Sequence, residues 1–471
     1  MDVLLALSPL LLLVGLLLLR VELWKVSGIT LMYSIALSLV HWGMSPLAAL
    51  GAHGKGLFVA IDIFLILFGA LLFLAYLEQS KKLDRIKNYI VSISPDRRVQ
   101  VILLVWFFGS FIEGAAGFGT PAAIIAPLLI SIGFPKLQAI AAALIGNSAA
   151  VVFGAVGTPV SVGLAGLPVA GIAPQIAGYN FFIGSIVPLL ILSVIIRNKK
   201  EFIQSIPFAL SSGVLLMGIS YMVSLLGSEF PSLLGPLIAG GIMIILLDAG
   251  VFFKREKKKH EPFPLRAFLP YLLLIFWLLL GKFQPVGINV PLGSNIGHSF
   301  SLSNPGIAFF LSIGVFLLLE HNTYGLRAKG KELAKKLLLP TLVIFFITSI
   351  VQLMIHTNTN TTGMQSMLEL LGGAMGTYLA FFTPTLGVFG AFMTGSATVA
   401  SLLFGSLVYQ GGGLLALLVI GAGIGNMISL TNIIAVQAAV GEHGQELAIL
   451  KLTLPACLIL LVLATLLGLI A

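Results

Sequence analysis

Apolar runs long enough to cross a hydrocarbon layer of ~30 Å recur from one end of the chain to the other. They fall near 3–19, 26–44, 57–77, 99–132 (interrupted), 138–156, 176–196, 206–226, 232–253, 267–281, 304–319, 337–356, 366–408 (interrupted), 413–440 (interrupted) and 452–470. Within lipid every backbone N–H and C=O must find a partner in the protein, which leaves helices or a closed barrel. Runs of this length select helices. Only 9% of the residues are charged and 58% are hydrophobic, a balance outside that of soluble domains. The expected fold class is an all-α polytopic membrane protein with roughly 12–14 transmembrane spans. The stretch Met1 to Leu19 lacks a basic leader and a clear cleavage site, so it reads as a first membrane helix. The single cysteine, Cys457, can form no internal disulfide and says nothing of compartment.

Charge sets the orientation. Arg20 and Lys25 form one basic connection, and Lys81, Lys82, Arg85, Lys87, Arg97 and Arg98 the next. Then come Arg197, Lys199 and Lys200, a cluster from Lys254 to Arg266, and Arg327, Lys329, Lys331, Lys335 and Lys336. These hold 22 of the 26 lysines and arginines, whereas the alternate connections 45–56, 227–231, 282–303 and 357–364 hold only Lys55 and Lys282. By the positive-inside rule the basic connections are cytoplasmic and the amino terminus lies outside. The net charge of +9 therefore orients the chain against anionic lipid. No aromatic residues interleave with it as a nucleic-acid groove would need.

One interruption stands out. Gly109-Ser110-Phe111-Ile112-Glu113-Gly114-Ala115-Ala116-Gly117-Phe118-Gly119-Thr120-Pro121 places a carboxylate, several glycines and a Thr-Pro step between apolar flanks. Non-helical backbone at membrane depth is tolerated only where protein or a water-filled cavity satisfies it. The stretch Phe108-Gly109-Ser110-Phe111-Ile112-Glu113-Gly114 is echoed by Phe389-Gly390-Ala391-Phe392-Met393-Thr394-Gly395. An Ile-Gly-Asn triplet follows each copy. Asn147 lies 33 residues after Gly114, and Asn426 lies 31 after Gly395. The first copy is entered from a basic connection and the second from a non-basic one, so the copies run in opposite directions. Inverted repeats with discontinuous helices are the plan of many secondary transporters, with binding near the midplane. The expected division is a first half over 1–200, connecting helices over 201–265 and a second half over 266–471. Hairpins are expected near 111–132 and 384–408, and broken helices near 138–160 and 413–440.

Glu113 is the sharpest candidate residue. An intramembrane carboxylate marks an ion or proton path by default; the alternative is a helix-end carboxylate accepting backbone N–H bonds. Asp62 is a second mid-span carboxylate, either a proton relay or a tether between helices. Asp248, near a basic connection, reads as snorkelling, and His41, His53 and His356 as interfacial. The neutral polar set comprises Thr120, Asn147, Ser148, Thr158, Thr394, Ser396, Thr398, Asn426, Ser429, Thr431 and Asn432, with Gly114, Gly117 and Gly395 at the breaks. Helix ends opened by glycine offer N–H groups and a positive dipole to an anion. With no Arg or Lys in the set, a small singly charged anion fits better than phosphate. Interhelical glue is the competing role for such hydroxyls and amides. Walker A, HExxH, Asp-rich metal and Cys-cluster patterns are all missing from the sequence, so neither cofactor nor metal is expected, nor an enzyme.

These residues resemble the lactate permease family. The resemblance rests on Ser94-Pro95-Asp96-Arg97-Arg98-Val99-Gln100, the Phe111-to-Pro121 run, Gly133-Phe134-Pro135 and the Ile145-to-Pro159 stretch. It extends to Ala60-Ile61-Asp62-Ile63, Phe68-Gly69-Ala70 and Gly390-Ala391-Phe392-Met393-Thr394-Gly395-Ser396. It is dense over about 57–163 and 385–441. It implies proton-coupled uptake of L-lactate, and often D-lactate or glycolate, across a bacterial or archaeal cell membrane. It also implies kinship with the ion transporter superfamily, whose folds pair a scaffold with a mobile transport domain carrying re-entrant hairpins.

The function expected is therefore symport of a 2-hydroxymonocarboxylate with a proton, using Glu113 and Asp62 for coupling and the polar set for substrate. Sodium coupling, sodium/proton antiport and a passive anion channel are the rivals. The partners expected are the monocarboxylate, protons and membrane lipid, without nucleic acid; a homodimer is compatible with the plan.

Overall fold

A computed structural model describes the chain except residues 20, 118, 166, 168–170, 254–260, 284–286, 294, 295, 302, 303, 377 and 471. Arg20 and the lysines and arginine of 254–259 thus lie outside the described residues. The chain is almost wholly helical. Among the described residues nine helices are long and apolar enough to span a membrane, and two bent pairs raise the number to 11. The first pair, Lys136–Asn147 with Val151–Ser161, bends by 52°, and the second, Leu415–Asn426 with Leu430–Ala439, by 43°. Five shorter apolar helices complete the set, among them Thr120–Ser131 and Ala397–Gln410.

Each bent pair accompanies a helical hairpin. The Arg97–Ala115 helix turns by way of Ala116, Gly117 and Gly119 into Thr120–Ser131, and Tyr378–Thr394 turns at Gly395 and Ser396 into Ala397–Gln410. Every side chain from Val101 to Ala116 is buried, so the first arm is sheathed in protein rather than lipid. It carries a wider π-type turn over Ile102–Phe108, a feature common beside functional sites.

Around the hairpins, Pro46–Gln79 packs on Leu326–His356 and Pro305–Glu320, and Leu23–Val40 packs on Leu326–His356. The 45–56 stretch reads as a connection in the sequence but is helical. Ser45 caps its start by accepting from the Ala48 N–H at 3.2 Å, with Pro46 in the first turn. The polar, glycine-rich turn is then held by tertiary contact. Gly56 lies against the Ser349 backbone, and Thr348 Oγ1 donates to the Gly56 carbonyl at 2.8 Å. Packing overrides weak propensity here.

At the basic end, the 81–98 connection contains an amphipathic helix, Lys82–Ile93, which buries Leu83, Ile86, Ile90 and Ile93. Lys82 donates to Glu320 at 2.8 Å, and the Tyr76 hydroxyl donates to the same carboxylate at 3.0 Å. This pair ties two helix corners together. At the other end, the 282–303 connection forms the only sheet among the described residues, strands Gly287–Gly293 and Ile296–Ser301 in antiparallel pairing. Its strands pack on Pro46–Gln79.

Candidate functional site

The two hairpin tips converge on Asn432 of the second bent pair, and the first tip also presses on the first bent pair. Gly117 and Gly119 carry φ values of +59° and +77°, a left-handed backbone that favours glycine. A Cβ on Gly117 would come within 2.8 Å of the Ala155 nitrogen, and one on Gly119 within 2.9 Å of Asn432 Oδ1. The first tip is therefore pressed against the breaks of both bent helices. At the second tip Gly395, also left-handed, faces Thr431, Asn432 and Ser429. The Asn432 amide nitrogen donates to the Gly395 carbonyl at 3.3 Å and to the Asn426 carbonyl at 3.1 Å, and it also touches Asn426 Oδ1.

Just past the first break, inside Val151–Ser161, the backbone makes a left-handed turn, with φ of +43° at Ala155, +57° at Val156 and +76° at Gly157. A β-branched residue in this region is an outlier, and such strain clusters at functional sites. Neighbours hold the loosened backbone: Asn180 donates to the Ala149 carbonyl at 3.0 Å and Ser232 to the Ala150 carbonyl at 2.8 Å. Sequence reasoning missed Asn180 and Ser232, because a lone polar residue in an apolar helix gives no sign of which backbone it serves.

Glu113 is 2% exposed, and its Oε2 has no hydrogen-bond partner among the described residues. Its carboxyl lies against Gly154, where a Cβ would strike Oε1. The buried Asn147 faces it, with its own Oδ1 unpartnered. Glu113, Gly154, Thr158, Gly395, Ser396, Thr398 and Asn426 surround a space of about 10 Å³, about what a single water needs. Across it the Thr158 and Thr398 hydroxyls share a hydrogen bond of 3.1 Å.

A larger cavity of about 650 Å³ lies beside this one and shares Ser396 and Thr398 with it. Thr120, Thr394, Ser396 and Thr398 supply hydroxyls at its hairpin end. Its remaining wall comes from Pro46–Gln79 and Leu326–His356, and it reaches Glu22 and Trp24 beside a basic connection. Thr394 Oγ1 donates to the Gly390 carbonyl at 2.8 Å and accepts from the Ser396 N–H at 3.2 Å, so it shapes the tip. Thr120 Oγ1 likewise donates to the Gly117 carbonyl at 2.7 Å.

Several sequence candidates lie elsewhere. Gly114 packs against the Ser232 backbone, and Ser148 donates to the Ile145 carbonyl at 2.7 Å. Ser429 and Thr431 bond one another at 2.8 Å behind Gly395. Asp62 does not line either cavity. One of its oxygens meets His298 Nε2 at 2.8 Å, and the other accepts from Asn304 Nδ2 at 3.1 Å. Gly54, Phe58 and Asp62, four residues apart on one helix, take Leu292, the rings of His298 and Phe300, and the His298 imidazole respectively. Sequence reading missed His298. Its signal was the alternation Ile288, Val290, Leu292, then Ile296, His298, Phe300 around a Gly-Ser-Asn step, a hairpin pattern. Among the described residues no group of three or more His, Cys, Asp or Glu could hold a metal.

The chain is similar to several known permeases. The chain is 28% identical over 453 residues to the L-lactate permease of Bacillus subtilis (strain 168), covering 81% of this chain and 79% of that protein. It is 28% identical over 445 residues to a putative L-lactate permease of Haemophilus influenzae, covering 83% of each. To Glycolate permease GlcA of Escherichia coli (strain K12) it is 28% identical over 519 residues, covering 95% of this chain and 91% of that one. The L-lactate permease family model matches residues 2–289 and 292–471, a span that takes in both hairpins and both bent pairs, and the chain belongs to that family.

Proposed function

We propose that the chain is a secondary active transporter that carries L-lactate or a related 2-hydroxymonocarboxylate, such as D-lactate or glycolate, together with a proton. The observation that carries this reading is the position of Glu113: a sheathed carboxyl one layer behind the hydroxyls of the hairpin tips, with Oε2 unpartnered and no lysine or arginine lining either space. An unpaired ionised carboxylate is costly in such surroundings; a proton on Glu113 removes the charge and supplies a donor. The tip hydroxyls, with Asn426 and the backbone N–H groups of the breaks, provide contacts for a carboxylate and a 2-hydroxyl. The names of the relatives support the substrate class.

Electrostatics favour the coupling. Moving one anion inward against a negative interior costs ~2.3 kcal/mol per 100 mV, and an accompanying proton cancels that charge. The setting in this reading is a cell membrane, with the basic connections inside and the amino terminus outside. The halves 1–200 and 266–471 act as inverted partners, and 201–265 connects them.

The test is uptake of labelled L-lactate by proteoliposomes. An inward pH difference should drive accumulation by about tenfold per pH unit, and an equal sodium gradient should not. Accumulation driven by sodium alone would replace proton with sodium coupling. A failure to exceed the electrochemical limit would make the protein a channel. Glu113→Gln should abolish acid-driven accumulation while lactate–lactate exchange persists. Unchanged accumulation would remove Glu113 from the mechanism.

A further inference from the structure

The large cavity has two kinds of wall. Its hairpin end carries the hydroxyls of Thr120, Thr394, Ser396 and Thr398, while the facing surface is aliphatic, with Glu22 and Trp24 also lining it. Ile63, Leu67 and Leu71 recur every four residues on Pro46–Gln79 and so form one stripe. Val343 and Ile344 on Leu326–His356 continue the stripe, and Val399 closes it from the second hairpin. These side chains cannot bind the carboxylate or the hydroxyl of a 2-hydroxy acid. What they offer is a place for its carbon tail. The volume of about 650 Å³ falls in the range that encloses drug-sized ligands, far more than a three-carbon acid fills.

We propose that this wall is a tail-binding subsite, so that the protein takes 2-hydroxymonocarboxylates with aliphatic tails longer than lactate and prefers them to glycolate. The inference rests on the transport reading above and adds to it a substrate class and the residues that select it. With carboxylate and hydroxyl held at the hairpin tips, the substituent on the second carbon points away from the polar end and meets the Leu67–Leu71 part of the stripe. Glycolate has no such substituent, lactate has a methyl, and 2-hydroxybutyrate and 2-hydroxypentanoate add one and two methylenes. Each carbon transferred from water to the wall should strengthen binding roughly fourfold. A rise of about 60-fold from glycolate to 2-hydroxypentanoate follows for three carbons fully buried.

The experiment is inhibition of labelled L-lactate uptake in proteoliposomes by this homologous series, read as the ratio of inhibition constants. A ratio does not depend on how much protein folds. The expected result is a monotonic fall in the constant with tail length in the wild type. In Leu67→Ser and Leu71→Ser the slope should flatten toward twofold per carbon or less, while Leu67→Trp should reverse it for the longest member. A flat or rising series in the wild type, with lactate still transported, would overturn the subsite and leave the transport reading standing. A wild-type slope that survives all three substitutions would show that the tail lies elsewhere and overturn the assignment of these residues. If no member of the series competes and lactate is not accumulated, the transport reading falls and the subsite falls with it.

Discussion

Gly117→Ala probes the contact of the first hairpin tip with the first bent helix more directly than any substitution of a polar group. Two costs follow from the structure. The first is backbone: φ is +59°, and a left-handed conformation costs a residue with a Cβ about 1–2 kcal/mol. The second is space, because the new methyl would sit 2.6 Å from the Ala155 Cβ and 2.8 Å from the Ala155 nitrogen. Overpacking of this kind costs about 1–3 kcal/mol. Ala155 cannot readily retreat, since it is itself left-handed and is followed by two more left-handed residues. Together the terms come to about 2–5 kcal/mol, set against the crossing of the first hairpin with the first bent helix.

Cys457 supplies the assay. It is the single cysteine and is buried in Glu446–Ile470, so a thiol-reactive dye reports its exposure on heating. One kcal/mol moves Tm by about 2–4 °C in chains of 150–250 residues and by less in larger ones, so Gly117→Ala should melt several degrees lower. Gly373→Ala is the control. Gly373 lies in the Met367–Met375 helix, and no atom stands within 4 Å of an added Cβ. It should gain about 1 kcal/mol from helix propensity. Lactate uptake should fall in Gly117→Ala and hold in Gly373→Ala. If both variants melt and transport alike, the first tip does not press on the bent helix at Ala155 and the reasoning fails.

Other outcomes test separate parts of the molecule. Thr398→Val should cost about 0.5–1.5 kcal/mol by removing its hydrogen bond with the Thr158 hydroxyl, which keeps only the Gly154 carbonyl at 3.4 Å, weakening lactate affinity. Thr158→Val combined with it should cost less than the sum of the two, and strict additivity would deny the contact. His298→Ala removes a bond to a carboxylate worth about 1.5–3 kcal/mol, so amides of 287–301 should exchange about 10–100-fold faster. Unchanged exchange would show that the strands are held by something else. Lys82→Met should lower Tm more than the double variant with Glu320→Gln, because the single change leaves a carboxylate without its cation. The reverse order would contradict a working pair.

Much of the architecture was legible because lipid leaves the backbone few choices. Runs such as 452–470 and 304–319 fall on the helices Glu446–Ile470 and Pro305–Glu320 within a few residues. The Glu113 and Thr394 motifs both fall at hairpin ends, because glycine beside a hydroxyl or carboxylate is hard to place within a lipid-facing rod. What escaped was decided by distant partners. The helical turn over 46–56 owes its order to Ser349 and Thr348, almost three hundred positions later, and Asp62 finds His298 on strands read as a plain connection. The sequence also could not show that Gly114 serves packing on Ser232 while Gly117 and Gly395 serve the crossing, since all three look alike until the opposing backbone is known.

The distribution of satisfied and unsatisfied groups ties stability to transport. Away from the crossing, some polar groups are fully matched, since Asp62 has a partner for each oxygen and Glu320 takes both Lys82 and Tyr76, whereas His53 Nδ1, Tyr271 Oη, Trp277 Nε1 and Gln352 Oε1 are buried without partners among the described residues. Near it, Ser110 Oγ, Glu113 Oε2, Asn147 Oδ1 and Ser401 Oγ are buried without partners among the described residues. Each such group costs about 1–3 kcal/mol. The left-handed Ala155 and Val156 add about 1–2 kcal/mol each. Four of the unpartnered atoms thus lie near the place where two hairpins and two broken helices converge. There a proton or the oxygens of a small acid can supply the missing bonds, and binding relieves a cost already present in the unliganded protein. A version of this crossing with every group matched would hold more firmly and have less to gain from its substrate.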